Sequence, residues 1–210
     1  MFANLITIYA EFNTTNVVPG VIEIMNDGFF YLTINKISRE FNVRICSENN
    51  IHESPYPYKL LETMTFTNAS IGDVLTGFMN GVSVTNHTWK YESKTDSVYV
   101  YPTTNAFSMT RVGPIAVTNM TLEAFFEIED ILKLKNNGVE FVRKNMGVGF
   151  WEYRKLSLEM DESYLQEVLD AITENVCELD SWQITPGHYK DENARSTLSF
   201  HEDFHLRKQP

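Results

Sequence analysis

Cysteine is nearly absent. Cys46 and Cys177 are the only two in 210 residues. Two thiols make no disulfide framework, so the fold has to rest on an apolar core. Each reads as a buried, inert thiol, and a bridge between the two is open only in an oxidising compartment. Positive charge is also short. Seventeen Lys and Arg stand against 28 Asp and Glu, a net charge of −11. Such a chain is repelled by phosphate backbones and by anionic membrane surfaces, which excludes nucleic acid as the expected partner. No apolar run approaches the roughly 20 residues of a membrane-spanning helix. The opening "MFANLITIYAEF" lacks a basic n-region and a small-residue cleavage site, so it is not a complete signal peptide. That leaves an intracellular chain, or a processed or trimmed one. No G-x-S-x-G, phosphate-binding loop or dinucleotide fingerprint occurs, and no cofactor is expected.

What is present is globular material, 43% hydrophobic and 13% aromatic. Asn, Thr and Tyr are plentiful and charge is sparse, as on many secreted and envelope proteins. Asn-x-Ser/Thr sequons begin at Asn13, Asn68, Asn86 and Asn119, most of them expected by chance in so Asn- and Thr-rich a chain.

The most informative feature is internal repetition. "GVIEIMNDGFFYLTINKISREFNVRICSEN" lies over "PIAVTNMTLEAFFEIEDILKLKNNGVEFVRKN". Each has an apolar strand, a Phe-Phe pair opening a helix, a polar break and a short strand. "MTFTNASIGDVLTGFMNGVSVTNHTWKY" lies over "LSLEMDESYLQEVLDAITENVCELDSWQI", with Asp73-Val74-Leu75 over Glu167-Val168-Leu169 and Trp89 over Trp182. The copies close on "SVYVY" and "STLSF". This predicts an α+β chain of two similar small modules, each about β-α-β-β-α-β-β. The expected divisions are 1–16, an arm or extra strand; 17–102, the first module; 103–110, a linker; 111–202, the second module; and 203–210, a tail.

Periodicity supplies the core. Phe30, Ile34, Ile37 and Phe41 make one helix stripe, and Ile71, Val74, Leu75 and Phe78 a second. Ser70 and Asp73 form a capping signature, and Asn80-Gly81 a stop. Leu165, Val168, Leu169 and Ile172 repeat the stripe, with Asp161 or Ser163 as the expected cap. Val98 and Val100 should face one way, and Tyr99 and Tyr101 the other. "SKTD" should turn a hairpin between Tyr91 and Val98.

The order of these elements resembles the secretin and TonB short N-terminal domain. The resemblance rests on "FFYLTINKISREFNVRICSEN", "MTFTNASIGDVLTGFM", "TWKYE" and "DSVYVYP". It covers about residues 18–102, and more faintly 111–202. It matches core positions and carries no catalytic signature. The long loop "NNIHESPYPYKLLE" departs from it, and no barrel or plug sequence follows. The resemblance implies a periplasmic or envelope-associated module that contacts other proteins.

Candidate sites are few. His201-Glu202-Asp203-Phe204-His205 satisfies H-E-x-x-H, in which two histidines on one helix face bind zinc and the glutamate is the base. Such a site needs a packed helix and a third ligand. The repeat instead makes "STLSF" a strand and leaves His201 and His205 as weak metal candidates. His52, His87 and His188 are scattered. The many carboxylates read as solvated helix faces, and Trp89, Trp151 and Trp182 as core or sheet-face residues. "SPYPYK" is the surface candidate. Pro55 and Pro57 stiffen it, and Tyr56 and Tyr58 offer contact area at low entropy cost.

The expected function is a non-enzymatic protein-binding or assembly module of a bacterial cell envelope. Its partners would be other envelope proteins, reached by strand addition or self-association. The competing readings are a zinc-dependent hydrolase using "HEDFH", and an intracellular or phage structural protein.

Overall fold

The structure, a computed structural model, describes residues 17–24, 30–49, 63–81, 87–104, 106–128, 139–141, 153–176, 181–185 and 196–201. The fold is α+β. Its first half runs β1 (Val17–Ile24), α1 (Phe30–Phe41), β2 (Arg44–Glu48), β3 (Met64–Ser70), α2 (Ile71–Gly81), β4 (His87–Glu92) and β5 (Ser97–Pro102). A 3-10 turn (Phe107–Met109) and β6 (Arg111–Val112) lead into the second half. There follow β7 (Ile115–Thr121), α3 (Leu122–Phe125), β8 (Val139–Phe141), β9 (Lys155–Met160), β10 (Ser163–Tyr164), α4 (Leu165–Asn175), β11 (Ser181–Thr185) and β12 (Ser196–His201).

The helices form where the apolar stripes fall. Ile34, Ile37, Ile71, Val74, Leu75 and Phe78 are all 0% exposed. The Ser70 N–H donates to Asp73 Oδ2 at 2.9 Å and the Asp73 N–H to Ser70 Oγ at 3.2 Å, so the start of α2 is closed from both sides. The second half differs from expectation here. Tyr164, not Asp161 or Ser163, precedes α4, and its N–H donates to Glu167 Oε2 at 2.8 Å. Ser163 and Tyr164 are instead drawn into β10, where they pair with Val112 and Arg111.

Strand pairing follows one scheme in both halves. β1 pairs antiparallel with β3, and β7 with β9. β2 pairs parallel with β5, and β8 with β12, while β4 and β11 run antiparallel to β5 and β12. The registers correspond as well. Ile45 faces Val98 and Trp89 faces Val100; Phe141 faces Leu198 and Trp182 faces Phe200. Even an irregularity recurs. Between Val18 and Val21, and between Val117 and Met120, two residues oppose one on the partner strand, a β-bulge. Gly20 and Asn119 occupy the second bulge position with φ of 106° and 52°, a left-handed region that Gly and Asn tolerate best. The N–H of each is satisfied by a side chain opposite, Gly20 to Asn68 Oδ1 at 2.9 Å and Asn119 to Ser157 Oγ at 3.0 Å.

The two three-stranded pieces join into one six-stranded sheet, in the order β4-β5-β2-β11-β12-β8. The join is β2 parallel to β11, with Gln183 opposite Ser47 and Ile184 opposite Glu48. Alternation then sorts the side chains to two cores on opposite faces. Ile45, Val98 and Val100 pack with α1 and α2. Cys46 and Tyr99, one residue out of step, pack with Trp182, Ile184, Leu198 and α4. This explains why β2 is buried from Ile45 through Glu48. The helices of the two halves therefore lie on opposite faces of a shared sheet.

The stretch between the halves is not a loose connector. The Glu48 carboxylate, 0% exposed at the end of β2, accepts hydrogen bonds from the N–H groups of Phe107 and Ser108. The Leu165 N–H donates to the Thr110 carbonyl at 2.8 Å. Within 103–110, expected as a linker, Phe107–Met109 thus form a short helical turn, and the stretch 107–110 is pinned to both halves.

Candidate functional site

The polar residues that the fold gathers lie along the seam between the halves. Asp170 projects from α4 between the apolar positions Val168, Leu169 and Ile172, and is 5% exposed. Its Oδ1 accepts from Trp182 Nε1 at 2.9 Å, within the second half. Its Oδ2 accepts from the Tyr99 hydroxyl at 2.7 Å, across the seam. Thr95 Oγ1 lies 2.9 Å from the same hydroxyl. Burial pushes the Asp170 carboxyl up to about 6, against the two donated hydrogen bonds and the positive charge of Arg44. Burial, then the Asp170 charge, also push the Tyr99 phenol and the Cys46 thiol far above their ordinary values. At neutral pH the seam therefore holds a neutral tyrosine, a neutral thiol and one carboxylate with its donors. On the other face, Gln183 Nε2 donates to Asn35 Oδ1 of α1 at 2.5 Å.

This arrangement fixes the halves together and places no activated nucleophile. Cys46 is a buried free thiol, raised rather than lowered in pKa. Beside Asp170 the seam opens into a groove of about 630 Å³ between the β4–β5 hairpin and α4, with Lys90, Glu92, Glu167 and Glu174 among its walls. Lys90 Nζ stands 5.4 Å from the Tyr99 ring and 5.9 Å from the Tyr101 ring, a cation–π arrangement that holds it on the sheet face.

The first half carries the counterpart of this corner. Trp89 Nε1 donates to Thr76 Oγ1 of α2 at 3.1 Å, in the position of Trp182 and Asp170. Here, however, the corner is open. Thr76 is exposed, Trp89 is half-buried, and the two line a shallow depression with Asp73, Gly77 and Asn80. β4 pairs with β5 alone among the described residues, and β8 with β12 alone.

Of the residues singled out from the sequence, His201 ends strand β12, opposite Ser181, with Nε2 3.2 Å from Ser199 Oγ. It is on a strand, where the H-E-x-x-H geometry requires a helix. His205 lies outside the described residues, as do Pro55, Tyr56, Pro57, Tyr58, Trp151, His188 and Cys177. Among the described residues no three His, Cys, Asp or Glu side chains gather where a metal ion could sit. No described helix is long and apolar enough to cross a membrane. Asp170 and Glu48 were absent from the sequence-based candidates. The one signal for Asp170 was its position over Thr76 in the expected repeat, twelve residues before the Trp182 that lies over Trp89. Comparison of the chain with protein-family models, with curated proteins and with solved structures finds no match.

Proposed function

We propose that residues 17–102 and 111–202 are two copies of one βαββαββ module, and that the chain is a non-enzymatic protein-binding or assembly component of a bacterial cell envelope. The observation that carries this reading is the use each half makes of its strand edges. One half's β2 edge already serves as the docking strand for the other half's β11, so the module is a device for joining sheets. Its matched pairing scheme, registers and bulges support a common origin for the halves. The buried polar groups support the non-enzymatic part. Asp170, Tyr99 and Glu48 are each consumed in hydrogen bonds that hold elements together. The envelope setting follows from the resemblance to the secretin and TonB short N-terminal domain and from the Asn- and Thr-rich, weakly charged composition.

The test is fractionation of the native cells with an antibody against the chain, followed by native electrophoresis of each fraction. The reading expects the chain in the envelope fraction, migrating well above its own mass. A chain found in the cytosol at the mass of one copy would sink it.

A further inference from the structure

The internal join defines two kinds of edge. The first half offers β2, and the second half offers β11 together with the Asp170–Trp182 corner that closes over Tyr99. Register assigns the counterparts. Trp89 opposite Val100 matches Trp182 opposite Phe200, so β4 and the Thr76–Trp89 corner correspond to β11 and its corner. Ile45 opposite Val98 matches Phe141 opposite Leu198, so β8 corresponds to β2. Each half thus has one edge of each kind. Among the described residues one of each is used, and the remaining two stand at the outer edges of the six-stranded sheet.

The relation between the halves is also open-ended. β4 runs antiparallel to β5 and hence to β2, whereas its counterpart β11 runs parallel to β2. The second half is therefore turned by half a rotation about an axis across the strands and shifted along that axis. This agrees with helices on opposite faces. A shift along the axis does not close on itself.

We propose that the β4 edge, with the Thr76–Trp89 corner of α2, docks in parallel on the β8 edge of a second copy, continuing the sheet head to tail. This deepens the assembly reading above and rests on it, with a second copy of this chain as the occupant. The exposed corner is the surface that its counterpart buries, and β8 is the strand kind that it buries against. Ser199 stands where Tyr99 stands, opposite Gln183 as Tyr99 is opposite Lys90, so it would meet Thr76. Two short hydroxyl side chains replace the tyrosine–carboxylate bond of the seam. The join between copies is weaker than the join within one, and growth depends on concentration.

Sedimentation of the full chain over a wide concentration range should show average mass rising continuously through dimer, trimer and beyond. Thr76→Arg should return it to the 24.3 kDa of one copy. Asn80→Arg should do the same; it lies one turn along the same exposed face and leaves the Thr76–Trp89 bond in place, so an unchanged unfolding midpoint separates lost docking from lost folding. In a Cys177→Ser background, chains carrying Thr76→Cys mixed with chains carrying Ser199→Cys should be linked by a short bis-maleimide, and neither variant alone should be. Three results overturn the proposal: a mass that stops at dimer, linkage within either single variant alone, or one mass at every concentration, whether residues 1–16 or another protein then covers β4. The last result would leave the envelope-partner reading standing, since that is read in native cells by fractionation.

Discussion

The two tryptophan corners make the same bond in different surroundings. Trp182 is 1% exposed and donates to a carboxylate that a tyrosine from the other half also reaches. Trp89 is half-buried and donates to a threonine in solvent. The local geometry is common to both, a helix residue reached by an indole on the neighbouring strand. What differs is the cover. Where the corner is covered, the helix residue has two donors to satisfy and is an acceptor with two oxygens. Where it is open, water completes the shell and one hydroxyl suffices.

Deleting each ring should expose the contrast most strongly. Trp182→Ala should cost about 3–5 kcal/mol, the range for removing a fully buried large aromatic. Trp89→Ala should cost roughly half as much, because part of its surface already meets water. Urea unfolding of the two variants measures both. Equal losses would mean that the seam adds nothing to the second corner.

Acidity should separate the corners next. In the unfolded chain the Asp170 carboxyl has its ordinary value of 3.8, and burial in the folded chain raises it to about 6. A raised carboxylate pKa means that the folded state holds its proton more tightly. The contribution of Asp170 to stability is thus greatest below pH ~4 and declines as pH rises to ~6, by roughly 3 kcal/mol at about 1.4 kcal/mol per unit. Unfolding free energies across this window should lose that slope in Asp170→Asn. They should keep it in Thr76→Val, which has no group to titrate. A slope unchanged in Asp170→Asn would assign it to another group.

A smaller effect is expected at the stretch between the halves. Glu48→Ala leaves the Phe107 and Ser108 N–H groups without their acceptor and should cost about 1–3 kcal/mol. Amide exchange at those two positions should rise more than exchange in α1. The smallest effect belongs to the matched bulges. Asn68→Gly, which keeps the left-handed φ of 49° that Ala tolerates poorly, and Ser157→Ala each remove the side-chain acceptor of an exposed bulge N–H, at about 0.5–1 kcal/mol apiece. A loss in one variant without a loss in the other would break the likeness of the two bulges.

The sequence displays what is local. The stripes of α1, α2 and α4 were legible because a helix buries residues three and four apart, and those residues are neighbours in the chain. The Ser70–Asp73 cap was legible for the same reason. So was the alternation of Val98 and Val100 against Tyr99 and Tyr101. That alternation could not say that its two sides face the cores of different halves, because the answer depends on β2 meeting β11 far along the chain. Asp170 was illegible for the same reason. On an isolated helix it reads as one of many solvated acids, and only the distant Tyr99 makes it a buried one. Tyr164 in place of Asp161 or Ser163 at the start of α4 is a tertiary effect too, because β6 pulls the two preceding positions into a strand pair.

The β2–β11 join also sets a timetable for the nascent chain. About 130 residues separate the end of β2 from the start of β11. At roughly 5–20 residues per second of synthesis, the ribosome needs on the order of ten seconds to supply the partner. Throughout that interval one flank of β2 has no native mate within its own chain. Neighbouring ribosomes on one message hold the same strand in the same state, so the risk of a wrong pairing peaks during translation and falls once β11 emerges.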